Sequence, residues 1–198
     1  MTTLTEHRTF LRSALNRPTL LGAPVPTGSV LAAQIAGVVP ASAPATVVEL
    51  GAGTGALSPA IAARLAPGSR FVAVEVEPDL VAYLRAAMPW LEVLHGDAGD
   101  IGALLADAGV GPVDAVVSSL PWTLITAAER RRMLGGIAAT LAPGGLFTTI
   151  TTLTALPNRV RQFRSELEAT FDEVTATKPV WRNLPPARLF VCRGARSC

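Results

Sequence analysis

The stretch Val47-Val48-Glu49-Leu50-Gly51-Ala52-Gly53-Thr54-Gly55 joins a short apolar run to a glycine-rich segment. The apolar run predicts a buried strand, and the glycines predict a tight turn whose backbone can approach a ligand closely. The apolar residues that follow predict a helix whose first N–H groups face the same ligand. Gly51, Gly53 and Ala56 also satisfy the dinucleotide pattern G-x-G-x-x-G/A, so an NAD-dependent oxidoreductase is one interpretation.

Strand and helix patterns alternate after this stretch. The strands are predicted at 47–50, 70–75, 92–96, 113–118 and 146–151, and the helices at 57–65, 79–88, about 101–108, 126–141 and 158–169. Two last strands, 173–180 and 187–193, flank a turn at 183–186 and predict a hairpin. We therefore expect an α/β fold, a Rossmann-like, seven-stranded and mostly parallel sheet with a C-terminal antiparallel hairpin and helices on both faces.

The first 45 residues precede this alternation. Leu4, Arg8, Leu11 and Leu15 have helical spacing, and 30–39 predicts a second helix capped by Thr27 or Ser29. We predict an N-terminal helical cap over 1–45 and a catalytic domain over 46–198, together forming one globular unit.

Three acidic side chains follow three successive strands. Glu49 stands before the first glycine, where a carboxylate suits a ligand with an ammonium group and repels a pyrophosphate. Glu75 ends the second strand and can accept both hydroxyls of a ribose, a role for which Glu77 is the alternative. Asp97, with Ala98 after it, follows the third strand and can accept from an adenine amino group.

The motif Ser118-Ser119-Leu120-Pro121-Trp122 follows the fourth strand, at the sheet edge where open α/β folds bind substrates. A proline fixes the turn and can leave the preceding carbonyls free to accept from an amine, and an aromatic ring can lie against a cation. The alternative is a proline-terminated strand with Trp122 in the core.

In order, E-L-G-A-G-T-G, V-E-V-E-P, H-G-D-A and S-S-L-P-W resemble the motifs of class I S-adenosylmethionine-dependent methyltransferases. The resemblance implies S-adenosylmethionine as cofactor and S-adenosylhomocysteine as product. It also implies cofactor contacts from the methionine-binding residues Glu49, Gly51, Ala52, Gly53 and Gly55, the ribose-binding Glu75 with Val76, the adenine-binding Asp97 and Ala98, and Ser118.

Beyond these motifs, F-L-R-S-A-L-N-R-P, G-A-P-V-P-T-G-S-V-L-A and R-N-L-P-P-A-R-L-F are similar to bacterial phospholipid N-methyltransferases. This implies phosphatidylethanolamine and its methylated intermediates as acceptors. Candidate catalytic residues are Ser119, Leu120, Pro121 and Trp122, and candidate substrate-binding residues are Trp122, Trp181 and Arg182. Three alternatives stay open: a small-molecule methyltransferase, an enzyme similar to ribosomal RNA adenine dimethylases, and a catalytically idle binding protein.

The amino-acid composition limits which kinds of partner the protein can be expected to bind. The net charge is only +2, short of the basic excess typical of nucleic-acid binding, so a nucleic-acid partner is not expected. No apolar run reaches the roughly 18 to 20 residues needed to span a bilayer, and we expect a cytoplasmic protein. The basic amphipathic N-terminal segment is a candidate for peripheral contact with the inner membrane surface.

Cys192 and Cys198 have no Cys/His cluster near them, so neither a disulfide framework nor a metal site is expected. The oligomeric state is left open.

Overall fold

A computed structural model describes residues 28–196. The predicted helix around 4–15, the proposed cap Thr27, and Cys198 lie outside these residues. The helices are α1 (Ser29–Val38), α2 (Ser58–Ala62), α3 (Pro78–Ala87), α4 (Ile101–Asp107), α5 (Ala127–Thr140) and α6 (Pro157–Thr170). The strands are β1 (Thr46–Leu50), β2 (Arg70–Glu75), β3 (Glu92–His95), β4 (Val113–Ser118), β5 (Leu141–Thr152), β6 (Phe171–Ala176) and β7 (Ala187–Ala195). Short 3-10 helices span Ala98–Asp100 and Trp122–Leu124.

The seven strands form one sheet in the order β3-β2-β1-β4-β5-β7-β6. β1 pairs in parallel with both β2 and β4, so the strand order reverses beside β1. β7 is antiparallel to both of its neighbours, β5 and β6. The predicted fold class and terminal hairpin are confirmed. In such sheets the crevice at the carboxyl end of the reversal point is the usual ligand site.

Both faces of the central strands are buried, as continuous apolar runs require. Val47 faces the core that α1 and α2 cover, and Ala73 faces α3 on the same side of the sheet. Val48 and Leu50 face the opposite core, which α4, α5 and α6 cover. The carboxyl ends of these strands are therefore held rigidly at one edge. Within residues 28–196, no helix has the length and apolar character needed to cross a bilayer.

The remaining differences from prediction lie at element ends. Ser29 is the first residue of α1 and does not cap it; Gly28 holds the cap position, and its N–H donates to Asn183 Oδ1 at 2.9 Å. The cap prediction for Ser29 is therefore wrong, because a tertiary contact fixes the helix start. Helix α2 ends at Ala62 rather than 65.

Strand β5 begins at Leu141, five residues earlier than predicted, and its pairing with β4 is irregular between Val113 and Ala115. Strand β6 ends at Ala176, four residues early. Beyond it Pro179 lacks an N–H to pair, and Val180 forms only an isolated bridge to Ala187.

Candidate active site

The glycine turn between β1 and α2 uses backbone conformations that favour glycine. Gly51, Gly53 and Gly55 have φ of 73°, 59° and 75°. The Gly51 N–H donates to the Val74 carbonyl at 2.9 Å, which ties the turn to β2. A Cβ atom on Gly51 would lie 2.8 Å from Leu120 Cδ2, so the glycine allows the turn to touch the loop after β4.

The Glu75 carboxylate holds this turn in place. Its Oε2 accepts from the Gly53 N–H at 2.8 Å, and its Oε1 accepts from the N–H groups of Val76 and Glu77 at 2.9 and 3.0 Å. A carboxylate has about four acceptor positions. Three backbone donors therefore leave it capacity for a ligand hydroxyl.

Asp97 lies at the corresponding end of β3. Its Oδ1 accepts from the Gly99 N–H at 2.8 Å and caps the first 3-10 helix. This bond fixes the carboxyl group and the Ala98 backbone beside it. Both residues belong to the same cleft as Glu75.

The cleft encloses about 630 Å³ of space, part of it open to solvent. Its lining comprises Gly51, Gly53, Val74, Glu75, Val76, Leu80, Gly96, Asp97, Ala98, Ser119, Leu120 and Met133. Eight of these were predicted as site residues from sequence: Gly51, Gly53, Glu75, Val76, Asp97, Ala98, Ser119 and Leu120. The other predicted residues near the turn and the loop after β4 are not in the lining: Glu49, Ala52, Gly55, Ser118, Pro121 and Trp122.

Leu80 and Met133 were missed by the motif analysis. Leu80 lies in the first turn of α3, and Met133 lies on the buried face of α5. They bring apolar side chains to the cleft from outside the strand-end motifs. The available signal was helical spacing, which predicts a buried face but does not say which buried residue borders a cavity.

Glu49 is fully buried behind the turn. Its Oε2 accepts from the Ser58 hydroxyl at 2.7 Å, while its Oε1 is buried with no partner in the described part of the chain. Burial raises the pKa of Glu49 to about 7; the Ser58 hydrogen bond opposes this rise and the charge of Glu75 adds to it. A buried carboxylate oxygen without a donor is suited to a ligand that brings a cationic donor.

The Ser118-to-Trp122 motif divides between cleft and core. Ser119 and Leu120 line the cleft, but Trp122 is only 1% exposed and stacks on Phe163 at a centroid distance of 5.2 Å. The Trp122 indole N–H donates to Ser118 Oγ at 3.0 Å. In this arrangement Trp122 is a core side chain that braces the end of β4, so the geometry gives no support to direct acceptor contact by its ring.

The carbonyls of this motif are only partly free. The Leu120 carbonyl, which precedes Pro121, accepts from the Trp122 N–H at 2.9 Å. No hydrogen bond to the Ser119 carbonyl is found from residues 28–196. The carbonyl nearest the strand end is therefore the freer acceptor of the two.

Trp181 and Arg182 are not in the cleft lining. Both are exposed in the connection between β6 and β7, beside Asn183, which bonds to Gly28. The predicted substrate-binding set is thus divided between the core and an exposed loop.

A buried arginine that the motif analysis missed supports the acceptor loop. Arg130 on α5 donates through Nε and Nη2 to the two carboxylate oxygens of Glu166 on α6. Its Nη1 donates to the Ile125 carbonyl at 2.6 Å and approaches the Trp122 carbonyl at 3.4 Å. Arg130 therefore joins two helices to the loop that follows the acceptor motif.

The fold and the acidic cleft at the strand reversal point are together typical of an α/β enzyme that binds a cofactor with ribose and amino groups. A model of the methyltransferase domain family matches residues 47–145. An ornithine lipid N-methyltransferase of Singulisphaera acidiphila is 37% identical over 155 residues, which cover 76% of each chain. The chain belongs to the S-adenosylmethionine-dependent methyltransferases. The donor of this family is S-adenosylmethionine, and S-adenosylhomocysteine is its product.

Solved structures agree with this fold. An O-methyltransferase from Bacillus cereus, in complex with S-adenosylhomocysteine, aligns with a TM-score of 0.68 at 15% identity, covering 98% of this chain and 93% of that one. An S-adenosylmethionine-dependent O-methyltransferase from Thermotoga maritima aligns with a TM-score of 0.63 at 15% identity, covering 93% and 72%. At these identities the likeness supports the fold alone.

Replacing Glu49 by glutamine should change how stability depends on pH. Because the folded-state pKa is raised above the ordinary value of 4.5, the folded protein holds a proton that the unfolded chain releases. Wild-type stability should therefore fall as pH rises from 4.5 through about 7, by on the order of 2 kcal/mol between pH 5 and 8. Urea unfolding of the ligand-free protein at both pH values should show this loss in wild type and a smaller one in Glu49→Gln. An equal loss of unfolding free energy in wild type and Glu49→Gln would contradict a raised pKa for Glu49.

Removing Arg130 should destabilise the fold strongly. Arg130→Met leaves the buried Glu166 carboxylate with only the largely exposed Arg131 guanidinium at 4.0 Å, and the loss of a buried partner typically costs about 3–5 kcal/mol. The double variant Arg130→Met/Glu166→Met should recover most of that loss. The control is Arg164→Met, which breaks the exposed Arg164–Glu168 pair on α6 and should cost no more than about 1 kcal/mol. Urea unfolding measures all three variants, and equal costs for Arg130→Met and Arg164→Met would show that the buried pair has no special role.

Proposed function

We propose that this methyltransferase acts on the amine of a membrane lipid. The observation that carries the transfer step is the contact between the two loops of the site. The Ser119 N–H donates to the Leu50 carbonyl at 3.0 Å, and Gly51 packs against Leu120. A donor held by the glycine turn and an acceptor held by the Ser119–Leu120 loop would thus lie side by side, as displacement requires.

The acidic residues suit the cofactor. We assign the methionine ammonium to Glu49 and the glycine turn, the ribose hydroxyls to the free capacity of Glu75, and the adenine amino group to Asp97. Leu80 and Met133 offer apolar surface for the adenine ring. When bound, S-adenosylmethionine supplies a sulfonium methyl group; the amine lone pair bonds to it as the carbon–sulfur bond breaks, leaving S-adenosylhomocysteine and an alkylammonium ion, which must lose a proton before any further transfer.

The acceptor amine must present a neutral lone pair. The Ser119 carbonyl can accept an N–H from a primary or secondary amine and orient its lone pair towards the glycine turn, with Leu120 and Pro121 shaping the approach. We assign Trp122 a positioning role through Ser118. Trp181 and Arg182 remain proposed contacts to the lipid, with Arg182 paired to an anionic group of the headgroup.

A lipid acceptor is supported by the relative from Singulisphaera acidiphila, which is named for ornithine lipid N-methylation. Within that class we propose phosphatidylethanolamine and its methylated intermediates as substrates, with peripheral contact between the chain and the membrane. We also propose that residues 1–45 form a cap over the domain 46–198, in which Leu31 and Ile35 of α1 belong to the domain core.

A radiolabelled methyl-transfer assay tests the acceptor. Vesicles of phosphatidylethanolamine, ornithine lipid or phosphatidylcholine, and total RNA, are each incubated with labelled S-adenosylmethionine. We expect label in phosphatidylethanolamine and none in phosphatidylcholine or RNA. Label in ornithine lipid alone would support a lipid amine as acceptor but show that it is ornithine lipid and not phosphatidylethanolamine. Label in RNA alone, or in none of the four substrates, would overturn the proposal.

Two glycine variants calibrate this assay. Gly51→Val adds a branched side chain at positive φ against Leu120 and should abolish transfer. Gly135→Ala on α5 meets no atom within 4 Å and should keep wild-type activity. Activity in Gly51→Val would mean that the two loops need not touch for transfer.

A further inference from the structure

Four large apolar side chains are exposed at the carboxyl edge of the sheet. Trp181 is 72% exposed, Leu184 67%, Leu156 57% and Val30 47%. They come from the start of α1, the connection between β5 and α6, and the connection between β6 and β7. We call these four residues the apolar rim.

The three segments of the rim lie against one another. Strand β7 starts opposite the end of β5, where Ala187 pairs with Thr152, and the Leu153 N–H donates to the Pro186 carbonyl at 2.8 Å. The bond from the Gly28 N–H to Asn183 Oδ1 joins the start of α1 to the β6–β7 connection. The segments that carry the exposed side chains therefore adjoin one another at this edge of the sheet, on loops whose bases are fixed.

The charge around the rim has one sign. Segments 28–38, 153–162 and 177–190 contain no Asp or Glu, and their cations are Arg159, Arg161, Lys178, Arg182 and Arg188. No ion pair to any of these five is found within residues 28–196. Acidic residues of this edge lie instead at the ends of β1, β2 and β3, as with Glu49, Glu75 and Asp97, and in the first turns of α3 and α5, as with Asp79 and Glu129. The rim thus suits an anionic partner.

The rim also borders the acceptor loop. Arg159, in the first turn of α6, donates through Nη1 to the Thr123 carbonyl at 3.1 Å. Thr123 lies in the 3-10 helix that follows Leu120 and Pro121. A partner seated on the rim would therefore reach the acceptor side of the cleft.

We propose that the apolar rim docks on the surface of an anionic phospholipid bilayer, with Trp181 and Leu184 entering the headgroup layer and the five cations facing the lipid phosphates. This inference rests on the proposed lipid function and names the surface that presents the substrate to the site. Tryptophan favours the membrane–water interface, and cations near an anionic surface strengthen binding there. A second copy of the chain fits less well, because it would place the same cations against each other.

Vesicle sedimentation with the full chain tests this surface. The vesicles are phosphatidylcholine with or without phosphatidylglycerol, and neither methyl donor nor amine lipid is present. Wild type should bind the anionic vesicles at least tenfold more tightly than the neutral ones, with a blue shift of tryptophan fluorescence. Trp181→Ser/Leu184→Ser and Lys178→Glu/Arg182→Glu should each weaken that binding at least tenfold while leaving S-adenosylhomocysteine affinity unchanged.

Control variants outside the rim distinguish binding through the rim from nonspecific binding to vesicles. Tyr83→Ser on α3 and Arg64→Glu after α2 remove an exposed aromatic side chain and an exposed cation outside the rim segments, and should bind like wild type. Residues 1–17 are intact in every variant. Wild-type binding by both rim variants, equal binding to neutral and anionic vesicles, or a wild-type dimer that Trp181→Ser/Leu184→Ser dissociates would overturn the proposal. This experiment measures binding and not methylation. Its outcome therefore does not depend on whether phosphatidylethanolamine is the methyl acceptor.

Discussion

The Glu75 carboxylate, held by three backbone N–H groups, is the interaction on which the site depends. It reaches the glycine turn because β1 and β2 are parallel and in register, with Leu50 opposite Val74, so the residue after Val74 lies beside the turn. The hydrogen bond from the Gly53 N–H to Glu75 fixes the glycine turn. Through Gly51, the glycine turn packs against Leu120. One carboxylate thus links the cofactor side of the cleft to the acceptor side.

The carboxyl edge of the sheet is electrostatically divided. Acidic side chains lie at the ends of β1, β2 and β3, where a cationic cofactor with ribose and amino groups would bind. The ends of β5 and β6 and the start of α1 carry exposed apolar and basic groups instead. Under the proposed function, this division would separate a small soluble donor from an amphiphilic acceptor, and it would place the reacting groups where the two halves meet, at Gly51 and Leu120.

Much of the cofactor side was predictable because its residues follow strands directly. Parallel strands bring their carboxyl ends to one edge, so Glu75, Asp97 and the glycines converge without any knowledge of side-chain packing. The acceptor side was predicted less well. Trp122 falls in the core because its ring packs between Phe147 and Phe163, which come from distant parts of the chain. Arg130 stands in a run of three arginines, and only the helical spacing to Met133, Leu134 and Ile137 marks it as buried.

The central claim is that Glu75 both shapes the turn and binds the cofactor. Titration calorimetry of S-adenosylhomocysteine with wild type, Glu75→Gln and Glu77→Gln tests it most directly, with thermal unfolding to verify that each variant is folded. We predict at least a tenfold loss of affinity for Glu75→Gln and a change of no more than a few-fold for Glu77→Gln. Wild-type affinity in a folded Glu75→Gln variant, with a loss in Glu77→Gln, would contradict the account and assign the ribose contact to Glu77.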